Sequence, residues 1–188
     1  KFDFVLIPAF QPGAMEHAGN IAYKAESLLL DETATQDELL DRAHVIAHET
    51  VHMWFGNLVT MRWFNDVWTK EVFANFIADK IVATQFPQMR HDLQFFLGNH
   101  GWAYAVDRSA CANPIRQPLE NLGEAGSLYG PIIYSKSPVV MRQLEALLGE
   151  AAFRDGVRAY LRRHAFGNAT WDELIAALAG STKLDLRQ

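Results

Sequence analysis

One short segment of this 188-residue chain, His48-Glu49-Thr50-Val51-His52, combines residue types and spacing that suit metal chemistry. Side chains four residues apart lie on one face of an α-helix, so both imidazoles can bind the same ion if the segment is helical. Imidazole nitrogens suit zinc, and a glutamate beside them can take a proton from water on that metal. The H-E-x-x-H pattern therefore predicts a zinc site that activates water.

A zinc ion that acts on a substrate needs a third protein ligand and one open position. Glu71 stands 19 residues after His52 and is the candidate. A turn around residues 56–64 would fold a second helix back against the first and bring this carboxylate to the two imidazoles. The sequence thus predicts two histidines and one glutamate as the ligands of one zinc ion.

Two long helices are predicted to position these side chains. Thr35 and Glu38 form a capping box that opens the first, which is expected to run to about Phe55 with Gly56 as its C-terminal cap. The second is expected over residues 67–86, because apolar residues recur there at helical spacing and Pro87 prevents its continuation.

The remaining elements are a few strands and several helices. Residues 1–7 and 20–30 are predicted as strands, separated by a Pro12-Gly13 turn. A third helix is expected within residues 88–106, followed by a long surface loop over 112–130. Later helices are expected from Ser137 as N-cap to Gly149, over 150–164, and from Thr170 to about Gly180. The fold class is mainly α (α+β), a small N-terminal β portion followed by a helical majority.

Composition excludes several classes of function. The chain is 49% hydrophobic with a net charge of −5, and no stripe of Lys or Arg follows its surface, so nucleic acid is not expected as a partner. No stretch approaches the ~20 apolar residues of a membrane span. Cys111 is alone and cannot form an internal disulfide. The chain opens on a strand without an initiator Met, which suggests a piece of a longer protein; no targeting signal is visible, and a cytoplasmic location is favoured.

Three motifs carry a resemblance to a known family. They are PGAMEH at 12–17, HETVHMWFGNLVTMRWFNDVWTKEVFANF at 48–76, and IIYSK at 132–136. Together they resemble the catalytic domain of the gluzincin aminopeptidases of the aminopeptidase N type, and the resemblance covers essentially the whole chain. It implies a thermolysin-like zincin fold, with residues 1–188 as a catalytic-domain fragment that lacks the family's N-terminal β domain and C-terminal helical domain.

The resemblance also implies roles for individual residues and an activity. The expected activity is zinc-dependent hydrolysis of the N-terminal peptide bond by metal-activated water, on peptide substrates with a free N-terminus. The implied assignments are His48, His52 and Glu71 as zinc ligands, Glu49 as general base, Tyr134 as catalytic tyrosine, Glu16 as the group that binds the substrate's amino terminus, and Gly13, Ala14 and Met15 as substrate-binding residues.

Other interpretations of the same residues stay open at this level. Glu16 follows a turn and would be unremarkable as a solvated carboxylate, and Tyr134 would be unremarkable as a core residue. The chain also departs from the family pattern, with His17 in place of Asn, Lys70 and Val72 in place of Asn and Gly, and Ser137-Pro138 in place of Gly-Ala. These changes alter the pocket's shape and leave open a related zinc hydrolase that acts on an epoxide. A zinc-stabilised binding module without catalysis is a further alternative, although such a module has no need of Glu49.

Overall fold

The computed structural model describes residues 3–186, which begin with a small three-stranded sheet. Its strands are β1 (Phe4–Ile7), β2 (Ala14–Met15) and β3 (Ile21–Lys24), in the order β1-β3-β2. The central strand β3 runs parallel to β1 and antiparallel to β2, and it is buried from Ile21 to Tyr23. This sheet holds the segment 12–16 against the helices that follow.

The N-terminal strand predictions need two corrections. The strand expected over 20–30 ends at Lys24, and Ala25–Leu28 forms a one-turn helix, α1, in which the amide of Leu29 donates to the carbonyl of Ala25. Leu29 is 67% exposed, so the apolar run that suggested a buried strand does not enter the core. Strand β2 was not predicted. Of the first predicted strand, Lys1 and Phe2 lie outside the described residues.

Helix α2 (Gln36–Val51) begins as predicted and ends earlier than predicted. The side chain of Thr35 caps it, and Glu38 completes the capping box. The expected continuation to Phe55 is wrong, because His52 is the C-terminal cap and its Nδ1 pairs with the carbonyl of Phe55, 2.9 Å away, as the chain turns. Gly56, with φ +127°, lies in that turn rather than at the helix end.

The chain then returns through a second, two-stranded sheet that was not predicted. Strand β4 (Val59–Met61) lies beside β5 (Gly167–Ala169) in parallel register. After a short 3₁₀ turn, α3 (Trp68–Gln85) packs back against α2, close to the predicted range of 67–86. Asp66, just before α3, is buried, and its Oδ1 accepts a hydrogen bond from Nε of Arg116 at 2.6 Å. This bond connects the 3₁₀ turn to the segment 112–130.

The C-terminal half is helical, with two differences from expectation. Helices α4 (His91–Phe95) and α5 (Gly101–Asp107), joined by a π-helical turn, match the third predicted helix. The segment 112–130 is not wholly a surface loop, since Leu119, Ala125 and Leu128 are buried. Ser137 is not an N-cap, because a π-helical turn over Ile132–Lys136 precedes it and its hydroxyl donates to the carbonyl of Ile133.

Three further helices complete the fold much as predicted. They are α6 (Ser137–Leu148), α7 (Glu150–His164) and α8 (Trp171–Ala179). Gly149, with φ +80°, ends α6, and a Thr170–Glu173 capping box opens α8. Helices α7 and α8 approach closely at Gly156, where a Cβ would stand 2.9 Å from Leu178.

Helix α3 lies at the centre of the hydrophobic core. Val72, Phe73, Ala74 and Phe76 are almost completely buried, and the ring of Phe73 stacks on Phe55 with centroids 4.2 Å apart. Helices α6, α7 and α8 pack around this face. The mainly α (α+β) class is therefore confirmed, and Glu71 projects from a helix that packing holds rigidly. Among residues 3–186, no helix is long and apolar enough to cross a membrane.

Candidate active site

Helices α2 and α3 bring three possible metal ligands together. The Nε2 atoms of His48 and His52 lie 3.1 Å apart, and Oε2 of Glu71 lies 3.5 Å from each. Ligands placed ~2.0–2.1 Å from zinc at the corners of a tetrahedron are separated by about 3.3 Å. The spacing of the three atoms therefore matches a tetrahedral zinc site in which one corner is left to substrate or water.

Both imidazoles are oriented through their other nitrogen. Nδ1 of His48 lies 2.8 Å from Oδ1 of Asn75, and Nδ1 of His52 lies 2.9 Å from the carbonyl oxygen of Phe55. Because both partners are acceptors, each Nδ1 carries the proton and each Nε2 keeps its lone pair. Hydrogen bonds of this kind fix the ring and the tautomer of metal-binding histidines. The donor set and its orientation fit zinc.

Glu49 lies beside the three ligands and is buried. Its carboxylate, together with Glu16 and His52, forms a second close group of possible ligand atoms. Its Oε2 is buried and makes no hydrogen bond to any of residues 3–186, so it is available to a polar group in the cavity. Burial raises the pKa of the Glu49 carboxyl to about 7.

Tyr134 belongs to the π-helical turn before α6 and faces the same cavity. Its ring stacks on Tyr129 with centroids 6.2 Å apart. Burial, with a further contribution from the charge of Glu71, raises the pKa of Tyr134 above its ordinary value. The phenol is therefore protonated at neutral pH and can donate a hydrogen bond.

Glu16 follows β2 and is fixed from two directions. Its carbonyl accepts from Nδ2 of Asn57 at 2.9 Å, and its Oε1 lies 2.6 Å from Nζ of Lys70. The side chain is only 15% exposed, so Glu16 is not the solvated carboxylate of the alternative interpretation. Burial pushes its pKa upward, but the charges of Lys70 and His52 and the hydrogen bonds to the carboxylate together hold the pKa below its ordinary value.

One cavity of about 570 Å³ contains this whole constellation. The structure brings together there all nine site residues predicted from the sequence: Gly13, Ala14, Met15, Glu16, His48, Glu49, His52, Glu71 and Tyr134. The peptide segment 13–15 forms one wall because β2 pairs with β3, and the amide of Lys24 donates to the carbonyl of Gly13.

Comparison with known proteins decides the family. A model of the peptidase family M1 domain matches residues 1–188. The chain belongs to peptidase family M1. It is 37% identical over 182 residues to endoplasmic reticulum aminopeptidase 2 of Homo sapiens, a match that covers 96% of this chain and 19% of that protein.

Two other relatives match the chain at a similar identity and over a similarly small part of their own length. The chain is 38% identical to the puromycin-sensitive aminopeptidase of Caenorhabditis elegans over 95% of its own length and 19% of the relative's. It is 36% identical to aminopeptidase N of Streptomyces lividans over 100% of its own length and 22% of the relative's. The chain thus spans about a fifth of the length of these proteins.

Three residues of this M1 site were not predicted from the sequence. Asn75 could have been found, because it lies four residues after Glu71 and therefore on the same face of α3. Lys70 precedes Glu71, but side chains of adjacent helical residues diverge, and only the fold shows that its ammonium turns into the cavity. Tyr129 lies in a segment without periodicity, and nothing in the sequence singles it out.

Proposed function

We propose that this M1 protein is a zinc-dependent aminopeptidase that hydrolyses the N-terminal peptide bond of peptides, with residues 1–188 in its catalytic domain. The observation that carries the proposal is the convergence of His48, His52 and Glu71 beside the unpaired Oε2 of Glu49. The relatives' names, all aminopeptidases, support the same activity. Their greater length supports flanking domains in the full protein.

His48, His52 and Glu71 would hold the metal. When bound, zinc supplies a Lewis acid that polarises the scissile carbonyl and lowers the pKa of water. Glu49 does not belong to this ligand set, and its free oxygen is placed to take a proton from the attacking water. The same carboxyl then delivers the proton to the leaving amine, so one residue serves first as base and later as acid.

Tyr134 supplies a neutral donor in the same cavity. Negative charge develops on the carbonyl oxygen of the substrate as water attacks, and a phenol fixed by a helical turn can hydrogen-bond to it. The carbonyl of Tyr134 accepts from Nδ2 of Asn75 at 3.3 Å, which connects this donor to the residue that orients His48. Donor and ligand are therefore held in one hydrogen-bonded unit.

Glu16 gives the site its preference for a chain end. A carboxylate beside the scissile bond attracts the ammonium of a free amino terminus, and a bond in the middle of a peptide brings no such charge. The segment 13–15 lines the same cavity as Glu16. Removal of residues from the amino end is the activity that this arrangement favours.

The burial of Glu49 without a partner for its Oε2 argues against a binding module that has no catalytic activity. A buried carboxylate oxygen without a partner lowers the stability of the fold, at a cost of about 1–3 kcal/mol. A module that uses zinc only for stability has no reason to keep such a group. An enzyme keeps it because the proton transfer requires it.

The test uses the full-length protein, stripped of metal and titrated with zinc. An aminoacyl chromogenic amide and its N-acetylated twin are the two substrates. The proposal predicts hydrolysis of the free-amine substrate alone, rising to a plateau at one zinc ion per site. Zinc binding without cleavage of either substrate would instead favour the binding module or a hydrolase for another electrophile.

A further inference from the structure

The turn that carries Tyr134 is hydrogen-bonded in a register different from that of the helix after it. In an α-helix the amide of residue i donates to the carbonyl of residue i−4, and in a π-helix to that of residue i−5. The π-helical turn spans Ile132–Lys136, and the amide of Ser137 donates to the carbonyl of Ile132. The carbonyl of Ile133 therefore loses the amide that an α-helix would give it.

Pro138 removes the other backbone donor that this carbonyl could use. In the π-helical register the amide of residue 138 would donate to Ile133, but proline has no N–H group. Ile133 is buried, and a buried carbonyl without a donor lowers the stability of a fold. The turn would contain such a carbonyl if the backbone were its only source of donors.

Side chains supply the donors that the backbone lacks. The hydroxyl of Ser137 donates to the carbonyl of Ile133, and both Ser137 and Pro138 are buried. The carbonyl of Tyr134, whose α-helical donor would also be residue 138, accepts from Nδ2 of Asn75 at 3.3 Å. Two consecutive carbonyls are therefore satisfied by side chains, and the turn keeps its π-helical register.

The two residues that follow the turn differ from the family pattern together. Ser137 and Pro138 stand where that pattern has Gly and Ala. Glycine has no hydroxyl, whereas an alanine at position 138 has the amide that proline lacks. A proline by itself would leave Ile133 without a donor, so the hydroxyl of Ser137 compensates for the amide that Pro138 removes.

We infer that Ser137 and Pro138 are a compensating pair of positioning residues, which holds the π-helical register and so keeps the phenol of Tyr134 in the cavity. The inference rests on the proposed function, because that function gives Tyr134 its role. Without the hydroxyl, the backbone can serve Ile133 only if the amide of residue 137 moves there from Ile132. An α-helix turns by about 100° per residue, so this shift rotates Tyr134 relative to α6 and withdraws the phenol.

Turnover of Ser137→Ala in the zinc-loaded full-length protein tests the inference. We expect kcat for an aminoacyl amide to fall about tenfold or more, because the phenol acts on the developing oxyanion. The KM and the zinc content should stay near the wild-type values, since the phenol holds neither the metal nor the amino terminus. In a Tyr134→Phe background the same substitution should cause no further loss of kcat, because no phenol hydroxyl is left to misplace.

A second substitution should restore the activity that Ser137→Ala loses. In Ser137→Ala/Pro138→Ala the amide of residue 138 can donate to Ile133 in the π-helical register. We expect kcat to return to within about threefold of the wild type. This double variant keeps the inference testable if Ser137→Ala alone does not fold. A double variant that is unfolded, or as slow as Ser137→Ala, would overturn the compensation.

Ser181→Ala is the matched control for the loss of a serine hydroxyl. The hydroxyl of Ser181 donates to the carbonyls of Ala152 and Leu178, each at 2.7 Å, and Ser181 does not line the cavity of Tyr134. Its loss should lower Tm and leave kcat unchanged. If Ser137→Ala behaved in the same way, its role would be structural only and the inference would be wrong.

Two further results separate the inference from the proposed function. An equal loss of kcat from Ser137→Ala with and without the Tyr134 hydroxyl would overturn the inference and leave the proposed function standing. Failure of the proposed function looks different, because the wild type would then cleave no aminoacyl amide. The Tm would still fall in Ser137→Ala and recover in the double variant, since the hydrogen bond to Ile133 does not depend on activity.

Discussion

Asn75 pairs with His48 across α2 and α3: its Oδ1 lies 2.8 Å from Nδ1 of His48, and Asn75 stands one helical turn beyond Glu71 on α3. The same amide donates to the carbonyl of Tyr134 at 3.3 Å. One side chain therefore links His48, a proposed zinc ligand on α2, to helix α3, which carries Glu71, and to the turn that carries Tyr134. Residues beyond the ligands themselves decide how well such a site holds its metal.

Asn75→Ala should weaken zinc binding without loss of a ligand. His48 would lose the acceptor that fixes its ring and tautomer, and changes of this kind cost about 10–100-fold in metal affinity. Competition with a chelator of known affinity measures the effect. Asn75→Asp keeps an acceptor and is the control, with affinity expected near that of the wild type. Equal zinc affinity in Asn75→Ala and wild type would count against the role of this hydrogen bond.

Tyr134→Phe should reduce turnover and leave substrate and metal binding intact. Loss of one donor to a developing oxyanion lowers kcat by about 10²–10³-fold. The value of KM and the zinc content should stay close to those of the wild type, because the phenol hydroxyl is not a ligand. Steady-state kinetics and metal analysis on the same preparation test this. A variant with unchanged kcat would remove Tyr134 from the reaction.

Glu16→Ala should damage the recognition of amino termini more than the chemistry. We expect a rise in KM of about tenfold for a free-amine substrate, with a smaller change in kcat. The affinity for 4-methylpentanohydroxamate, a zinc-chelating ligand with no amine, should stay at the wild-type value because it has no ammonium to lose. Comparison of these two readouts separates recognition from general damage. An equal loss for ligands with and without the amine would contradict the assignment.

Gly156→Ala should destabilise the packing of α7 on α8. A Cβ at this position would stand 2.9 Å from both Cα and Cδ2 of Leu178, and overpacking of this kind costs about 1–3 kcal/mol. Gly126→Ala is the matched control, because nothing lies within 4 Å of its added Cβ. Thermal unfolding of the two variants compares them. The same Tm in both would show that the helices can separate without cost.

The group of possible metal ligands was the part of the site most readily predicted from the sequence. Helical spacing alone places His48 and His52 on one face, and the need of zinc for a third ligand points to Glu71. The structure confirms the capping boxes at Thr35 and Thr170, because they depend only on residues within one turn. Local signals of this kind need no knowledge of the fold.

Features that depend on distant partners were not predictable. Strand β4 pairs with β5, more than a hundred residues later, and both are only three residues long, too short for periodicity to reveal them. The early end of α2 depends on the pairing of His52 with the carbonyl of Phe55. The contact of Lys70 with Glu16 depends on the sheet, which places residue 16 against the start of α3.

The most direct test of the central claim is a measurement of zinc content and turnover in Glu49→Gln. The substitution keeps the size of the side chain and deletes the base, and His48, His52 and Glu71 stay in place as ligands. We predict one zinc ion bound per full-length protein, as in the wild type, with hydrolysis of an aminoacyl amide reduced by about 10²–10⁴-fold. Loss of the metal from this variant, or wild-type turnover with the metal retained, would contradict the assignment of Glu49 as the base of a zinc aminopeptidase.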